Sequence, residues 1–317
     1  MKIVVLDGYT LNPGDHSWKD VEAFGELTVH KFTEEPDILS RSRGAEIILT
    51  NKTPLTAETL EQLPDLKYIG VLATGFNVVD IEAARSRGIP VTNIPTYGTD
   101  SVAQFVMALL LELCHHVAHH SDAVRDGAWK RAGQFCFWDF PLIELAGRTM
   151  GIIGFGRIGR RVGELAHAFG MKVLAADVYR DNPPDFPFEW AEIPEVFAKA
   201  DVVSLHCPQT ADNVEMVNRD LLERMKPSAF LINTSRGGLI QEADLAAALE
   251  AGTLAGAACD VVSAEPIKDD NPLLSAPNMI LTPHIAWATL SARQRLMKTT
   301  AENIGAFLEG SPINVVN

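Results

Sequence analysis

The chain has 317 residues, above the size at which a single hydrophobic core keeps growing, so two domains are expected. Its 47% hydrophobic and 21% charged residues are ordinary for a globular protein, and no apolar run approaches the length of a membrane span. A net charge of −14 argues against a nucleic-acid-binding surface, which needs a basic face, and four cysteines without a C-x-x-C pair suit reduced thiols in the cytoplasm.

In chain order, residues 3–6 read as a first strand closed by the turn signal Asp7-Gly8. Residues 27–30 and 46–49 read as further strands, and 38–43 and 57–63 as helices, the latter after Pro54. An apolar strand over 68–72, a helix over 81–87 stopped by Gly88, and a short strand over 90–92 complete the first part. This alternation predicts a parallel sheet with crossover helices. A polar turn over 96–101, with Ser101 as N-cap, leads into a long helix over 102–124 that is expected to bridge two domains. That helix carries Cys114, His115, His116, His119 and His120. Histidines four apart share a helix face, as a metal site needs, but there is no H-E-x-x-H and no third ligand nearby. No metal is expected. Residues 127–141 gather Trp129, Phe135, Phe137, Trp138 and Phe140. Such aromatic density fits an inter-subunit segment, a pocket wall, or a loop covering its own core.

The second domain opens at TMGIIGFGRIGRRVG. Residues 149–154 form a buried strand, and Gly154-Phe155-Gly156-Arg157-Ile158-Gly159 matches G-x-G-x-x-G ahead of a helix. The first glycine allows a tight turn, the second lets backbone approach a pyrophosphate, and the third lets helix and strand pack closely. Free amides and the helix dipole then hold the phosphates. A second apolar strand, 172–176, ends at Asp177, 18 residues after Gly159 and near the spacing of an acid that binds adenosine ribose. Residues 202–206, 230–233, 255–259 and 279–281 read as strands, with helices over 219–225 and 242–251. Six strands from the glycine motif onward describe a doubly wound nucleotide-binding domain. A last helix spans 289–309, and the tail SPINVVN is expected to return to the first domain.

Three polar side chains lie just beyond strands of this second domain: Arg236, Glu265 and His284, spaced by 29 and 19 positions. In open α/β sheets ligands bind outside the carboxyl ends of the strands, so the three can meet. Together they suit carbonyl reduction. A nicotinamide cofactor supplies hydride but no proton, a histidine supplies the proton near neutral pH, a glutamate orients the ring and favours its cation, and an arginine forks onto a carboxylate. Singly each has another reading. His206 also ends a strand, Arg236 can cap a loop, and Glu265-Pro266 can start a turn.

GFGRIG, the TSRGGLI segment around Arg236, DVVSAEP around Glu265 and TPHIAW around His284 resemble, in order, the motifs of the D-isomer-specific 2-hydroxyacid dehydrogenases. The resemblance covers nearly the whole chain. It implies an α/β fold of two domains, a Rossmann-type NAD-binding domain (99–287) inserted into a flavodoxin-like substrate-binding domain (1–98 with 288–317). It implies that His284 exchanges the proton, Glu265 is its partner and Arg236 anchors the substrate. It places a carboxylate-binding loop at Ala73, Thr74, Gly75 and Phe76, and lines the cofactor cleft with Cys207, Pro208, Thr234, Ser235 and Asp260. PTYGTDSVAQ, FCFWDFPLIELAG and the NVVN ending look most like the family's glycerate dehydrogenases, or hydroxypyruvate reductases. In related enzymes a tryptophan enters the partner's active site, and Trp138 holds that position, with Trp129 as the other candidate. Gln104 stands where many relatives have glutamate.

The expected activity is therefore NADH-dependent reduction of a small 2-keto acid to the D-2-hydroxy acid, hydroxypyruvate or glyoxylate first, in a homodimer. Asp177 disfavours NADP, although Arg180 lies close enough in sequence to weaken that preference. Other readings are a short phosphoglycerate or D-lactate dehydrogenase, or an NAD-sensing corepressor. A phosphate substrate would want basic residues near Ala73 to Phe76, and that loop has none.

Overall fold

The structure is a computed structural model that describes residues 1–317. It divides into two units, Met1–Gly98 with Ala288–Asn317, and Thr99–Trp287 between them.

The first unit holds five strands: β1 Lys2–Val5, β2 Glu26–Val29, β3 Ile47–Thr50, β4 Tyr68–Val71 and β5 Val91–Thr92. They run parallel in the order β2-β1-β3-β4-β5, the flavodoxin-like order. Every residue of β3 and β4 is buried. Strands covered on both faces have no polar side to alternate with, which is why these two read as unbroken apolar runs.

The helix Leu290–Leu308 belongs to this unit, and its Phe307 stacks on Tyr68 with ring centroids 4.8 Å apart. The tail does return: Val316 N–H donates to Val91 O at 2.9 Å, and Asn93 N–H to Asn314 O at 3.1 Å. Asn303 ties helix, strand and tail together. Its amide donates to Asn93 O at 3.0 Å and Thr92 Oγ1 at 3.3 Å, and its carbonyl accepts from Asn314 Nδ2 at 2.8 Å. Near the helix start, Arg293 forks onto Asp15 at 2.6 and 2.5 Å, and this hydrogen bonding holds the Asp15 carboxyl below the usual range.

The second unit holds seven parallel strands: β6 Thr149–Ile153, β7 Lys172–Ala176, β8 Glu189–Trp190, β9 Val202–Leu205, β10 Phe230–Asn233, β11 Gly256–Cys259 and β12 Met279–Leu281. Their order is β12-β11-β10-β9-β6-β7-β8, a doubly wound sheet whose direction of growth reverses beside β6. The sequence suggests six strands. The extra one, β8, is two residues long and pairs only with Leu174 and Ala175, too short to show periodicity.

The long helix expected over 102–124 is two helices, Thr99–His115 and Val117–Arg125, bent by 54°. His116 breaks them. It sits in the left-handed region at φ 46°, and its ring stacks on Phe140 at 4.2 Å. Ser101 lies buried within the first helix and is not its N-cap. No single helix is long and apolar enough to cross a membrane.

Asn303 is almost fully buried. Asn303→Ala strands the Asn314 amide and the Asn93 carbonyl, and is expected to lower the unfolding free energy by about 1–3 kcal/mol in urea melts.

Candidate active site

The glycine turn follows β6. Gly154 has φ +91°, and a Cβ there would lie 2.4 Å from Cys207 N, so only glycine lets β6 run this close to the end of β9. A Cβ on Gly159 would lie 2.1 Å from Gly154 O, which fixes the helix Arg157–Ala168 against the turn. At Gly156 a Cβ would meet nothing within 4 Å. The first and third glycines are thus demanded by the protein's own packing, whereas the second borders open space at a helix N-terminus, where a pyrophosphate fits.

Asp177 stands at the end of β7. Its Oδ2 accepts from Phe155 N–H at 2.5 Å and its Oδ1 from Tyr179 N–H at 2.9 Å. Each oxygen keeps a lone pair, enough for two ribose hydroxyls. Arg180 is turned to other partners, with Nη2 2.9 Å from Glu192 Oε1 and its guanidinium 5.3 Å from the centre of the Trp190 ring. Beyond β9, the Cys207 carbonyl accepts from Ser235 Oγ at 2.5 Å, and burial pushes its thiol up to about 11, so it stays protonated. Pro208 is exposed beside it. The Thr234 hydroxyl, just after β10, is buried without a hydrogen-bond partner. An orphaned hydroxyl at a strand end is a place for a ligand. These residues fit a dinucleotide.

Three adjacent strands carry the candidate reacting groups at their carboxyl ends: Arg236 after β10, Glu265 after β11 and His284 after β12. His284 Nδ1 lies 2.7 Å from Glu265 Oε2, with both side chains about a third exposed, 29% and 36%. His284 is held by a residue whose importance its place in the sequence does not convey. The carboxylate of Asp260, 1% exposed, accepts from Thr282 Oγ1 at 2.6 Å, Ile285 N–H at 2.9 Å and Ala286 N–H at 2.8 Å. Its carbonyl accepts from His284 N–H at 2.8 Å. Burial raises the Asp260 carboxyl above its usual range, and these bonds act the other way. Both oxygens of an expected cofactor-cleft residue thus serve the loop of His284.

Arg236 is exposed, its Nη1 donating to Ser235 O at 2.8 Å. Buried Asn233 shapes its loop, donating to Arg236 O at 2.9 Å and accepting from Ser235 N–H at 3.0 Å. The next residue, Gly237, touches the loop that leads to Glu265: a Cβ there would lie 1.9 Å from Val262 C. Glu242 secures that same loop, accepting from Ser263 N–H and Oγ at 2.7 Å each. Asn233, Gly237 and Glu242 escape the sequence reading because none bears the chemistry.

His206 is set apart from His284. Its Nε2 bonds Ser204 Oγ at 2.8 Å, and burial pushes the ring down to about 3, so it is neutral where the enzyme works. In the first unit, the Thr74, Gly75 and Phe76 amides donate to no protein acceptor. The turn itself is rigid: Thr74 Oγ1 donates to Ile94 O at 2.8 Å and Asn93 Nδ2 to Thr74 O at 2.7 Å. In the aromatic segment Phe135 is 89% and Trp138 63% exposed, so those two cover no core of their own. The helical histidines clasp this segment: His119 Nε2 lies 2.8 Å from Asp139 Oδ2, and His120 Nε2 accepts from Asp139 N–H at 3.2 Å. No group of three or more His, Cys, Asp or Glu side chains is arranged to hold a metal.

Residues 107–286 match the model of the D-isomer specific 2-hydroxyacid dehydrogenase NAD-binding domain. The chain belongs to this family. It is 52% identical to a hydroxypyruvate reductase of Blautia hydrogenotrophica over the full length of both chains. It is 43% identical to a glycerate dehydrogenase of Methylorubrum extorquens, across 99% of this chain and 98% of that one. Among solved structures, D-2-hydroxyisocaproate dehydrogenase superposes with a TM-score of 0.86 at 27% identity, covering 100% of this chain and 99% of that chain. This dehydrogenase is therefore an NAD-dependent oxidoreductase with a two-domain fold.

Two expectations follow. A Cβ at Gly237 meets backbone, whereas one at Gly238 meets only the end of the Gln209 side chain, 2.6 Å away. Gly237→Ala should lower kcat/KM about a hundredfold and Gly238→Ala by less than about threefold, because backbone cannot yield as a side chain does. The second concerns acid stability. The unfolded chain protonates His206 near its ordinary value of 6.5 and the folded chain only near 3, so this residue costs the fold stability as pH falls through that window. In urea melts, wild type should lose more stability than His206→Gln between pH 7 and pH 5.

Proposed function

We propose that this dehydrogenase reduces hydroxypyruvate to D-glycerate with NADH, and glyoxylate to glycolate as a smaller substrate. The observation that carries this is the His284–Glu265 contact of 2.7 Å, one strand away from the loop of Arg236. The names of the relatives, hydroxypyruvate reductase at 52% identity and glycerate dehydrogenase at 43%, support the choice of substrate.

Bound NADH supplies the hydride and no proton. His284 donates the proton from Nε2 to the carbonyl oxygen, because Nδ1 is committed to Glu265. The Glu265 carboxylate, bonded to Nδ1, fixes the orientation of the ring. Arg236 forks onto the substrate carboxylate and polarises the carbonyl, and the open amides of Thr74, Gly75 and Phe76 are further donors to that carboxylate. In the direction of oxidation the same histidine takes the proton back.

The Asp177 carboxylate accepts from the ribose hydroxyls and repels a 2′-phosphate, while Arg180, paired with Glu192, is not available to welcome one. Gly154, Gly156, Arg157, Ile158 and Gly159 form the pyrophosphate turn. Cys207, Pro208, Thr234 and Ser235 line the cofactor's path, and Asp260 holds the loop of His284. The exposed Phe135 and Trp138 suit a homodimer in which Trp138 of each copy lies against the other's substrate, and the free cysteines suit the cytoplasm.

The test is oxidation of NADH and of NADPH with hydroxypyruvate, glyoxylate, pyruvate and 3-phosphohydroxypyruvate. Hydroxypyruvate with NADH is expected to give the highest kcat/KM. Absence of turnover with every keto acid would instead favour a binding protein. Glu265→Gln keeps the shape and removes the charge. It is expected to lower kcat at least about tenfold. An unchanged kcat would take Glu265 out of this role.

A further inference from the structure

The carboxyl edge of the first unit's sheet holds a cation that the reaction described above does not use. Strands β3 and β4 pair in register up to Thr50 and Val71, and Leu72 N–H then donates to Thr50 O at 2.8 Å. The two connections separate and meet again, where Leu55 N–H donates to Val78 O at 2.8 Å and Asp80 N–H to Leu55 O at 2.9 Å. Residues 51–54 and 72–78 are thus two sides of one small lobe, bracketed at both ends by backbone hydrogen bonds. One side carries the open amides of Thr74, Gly75 and Phe76. The other carries Lys52.

The backbone of Lys52 is tightly held. The Asp7 carboxylate accepts from Asn51 N–H at 2.7 Å, Lys52 N–H at 2.5 Å and Thr53 N–H at 2.8 Å. Thr50 Oγ1 closes the turn onto Thr53 O at 2.7 Å. The side chain, in contrast, is exposed and pairs with no acid, while Lys67 of the same unit pairs with Glu46 at 2.7 Å. Asp7, the acid beneath the turn, already spends both oxygens on amides. An unpaired ammonium on a tightly held turn, on the opposite side of the same lobe from a row of open amides, makes a two-part oxygen site.

We propose that Lys52 is a specificity-determining residue that hydrogen-bonds the C3 oxygen of the substrate, selecting 2-keto acids with a hydroxyl at C3 over those with a bare methyl or no C3. The inference rests on the proposed reduction of 2-keto acids and names the feature of the substrate that the first unit reads. The amides take the carboxylate, and the ammonium takes the oxygen at the other end of the three-carbon chain. The C3 oxygen neither gains nor loses a bond in the reaction, so this contact acts nearly equally on bound substrate and transition state and governs KM more than kcat.

The experiment compares wild type, Lys52→Met and Lys52→Arg with hydroxypyruvate, pyruvate and glyoxylate at saturating NADH. Met keeps the length and the backbone N–H that bonds Asp7, so the turn is retained. The ratio of kcat/KM for hydroxypyruvate to that for pyruvate should fall at least about tenfold in Lys52→Met, the worth of a hydrogen bond from a charged donor, mostly through the hydroxypyruvate KM. Lys52→Arg should keep most of the preference. An equal loss on all three substrates would show general attraction of anions, and no loss would show an idle surface lysine; either overturns the assignment of Lys52 while leaving the reductase reading intact. Wild-type protein that turns over none of the three would overturn both.

Discussion

The structure of the reacting edge depends on one buried carboxylate. Asp260 has no route to water and satisfies its oxygens by taking Thr282 Oγ1 and the Ile285 and Ala286 amides. That demand curls residues 282–286 around it and leaves His284 in the left-handed region at φ 54°. A non-glycine residue there costs on the order of 1–3 kcal/mol, and the surrounding bonds over-determine it. The return is a ring whose Nδ1 meets Glu265 without help from burial. Glu242 and Asn233 repeat the device for the loops of Glu265 and Arg236. The three proposed reacting side chains can stay accessible because other side chains, behind them, fix their backbones.

The cofactor edge is built by subtraction. Gly154 and Gly159 are close-approach residues, one against Cys207 and one against its own turn, and both places would be filled by a single added carbon. Gly156 alone faces open space. Sterically, then, the turn separates the glycines that the fold needs from the one that its own packing leaves free. Gly237 belongs with the first kind, since it lets the Arg236 loop sit directly on Val262.

Much of this was legible in the sequence, for physical reasons. Strands buried on both faces read as apolar runs, so β3, β4, β6, β9 and β10 were plain. The glycine turn and the strand-end placement of Arg236, Glu265 and His284 followed from the rule that ligands gather at carboxyl ends. What was hidden depended on tertiary partners. The helix expected over 102–124 shows unbroken helical pattern, and only the stacking of His116 on Phe140 marks where it bends. An aspartate after a strand looks alike whether it faces a cofactor or its own chain, so the bonds of Asp260 could not be foreseen. Lys52 lies outside the stretch 73–76, and only the backbone bonds at Leu72 and Leu55 put the two stretches in one lobe.

The first unit is discontinuous, and that shapes how the chain comes to be folded. β5 pairs through its own backbone with Val315 and Val316, and Asn303 joins it to the last helix. During synthesis β1 to β5 leave the ribosome early, but the pieces that cover their edge and one face come only after the whole of Thr99–Trp287. The second unit has every one of its strands in one continuous stretch and can fold as soon as it is made. The closure that joins β5 to residues 303–316 therefore spans the whole second unit in sequence, and its entropic cost grows with that separation.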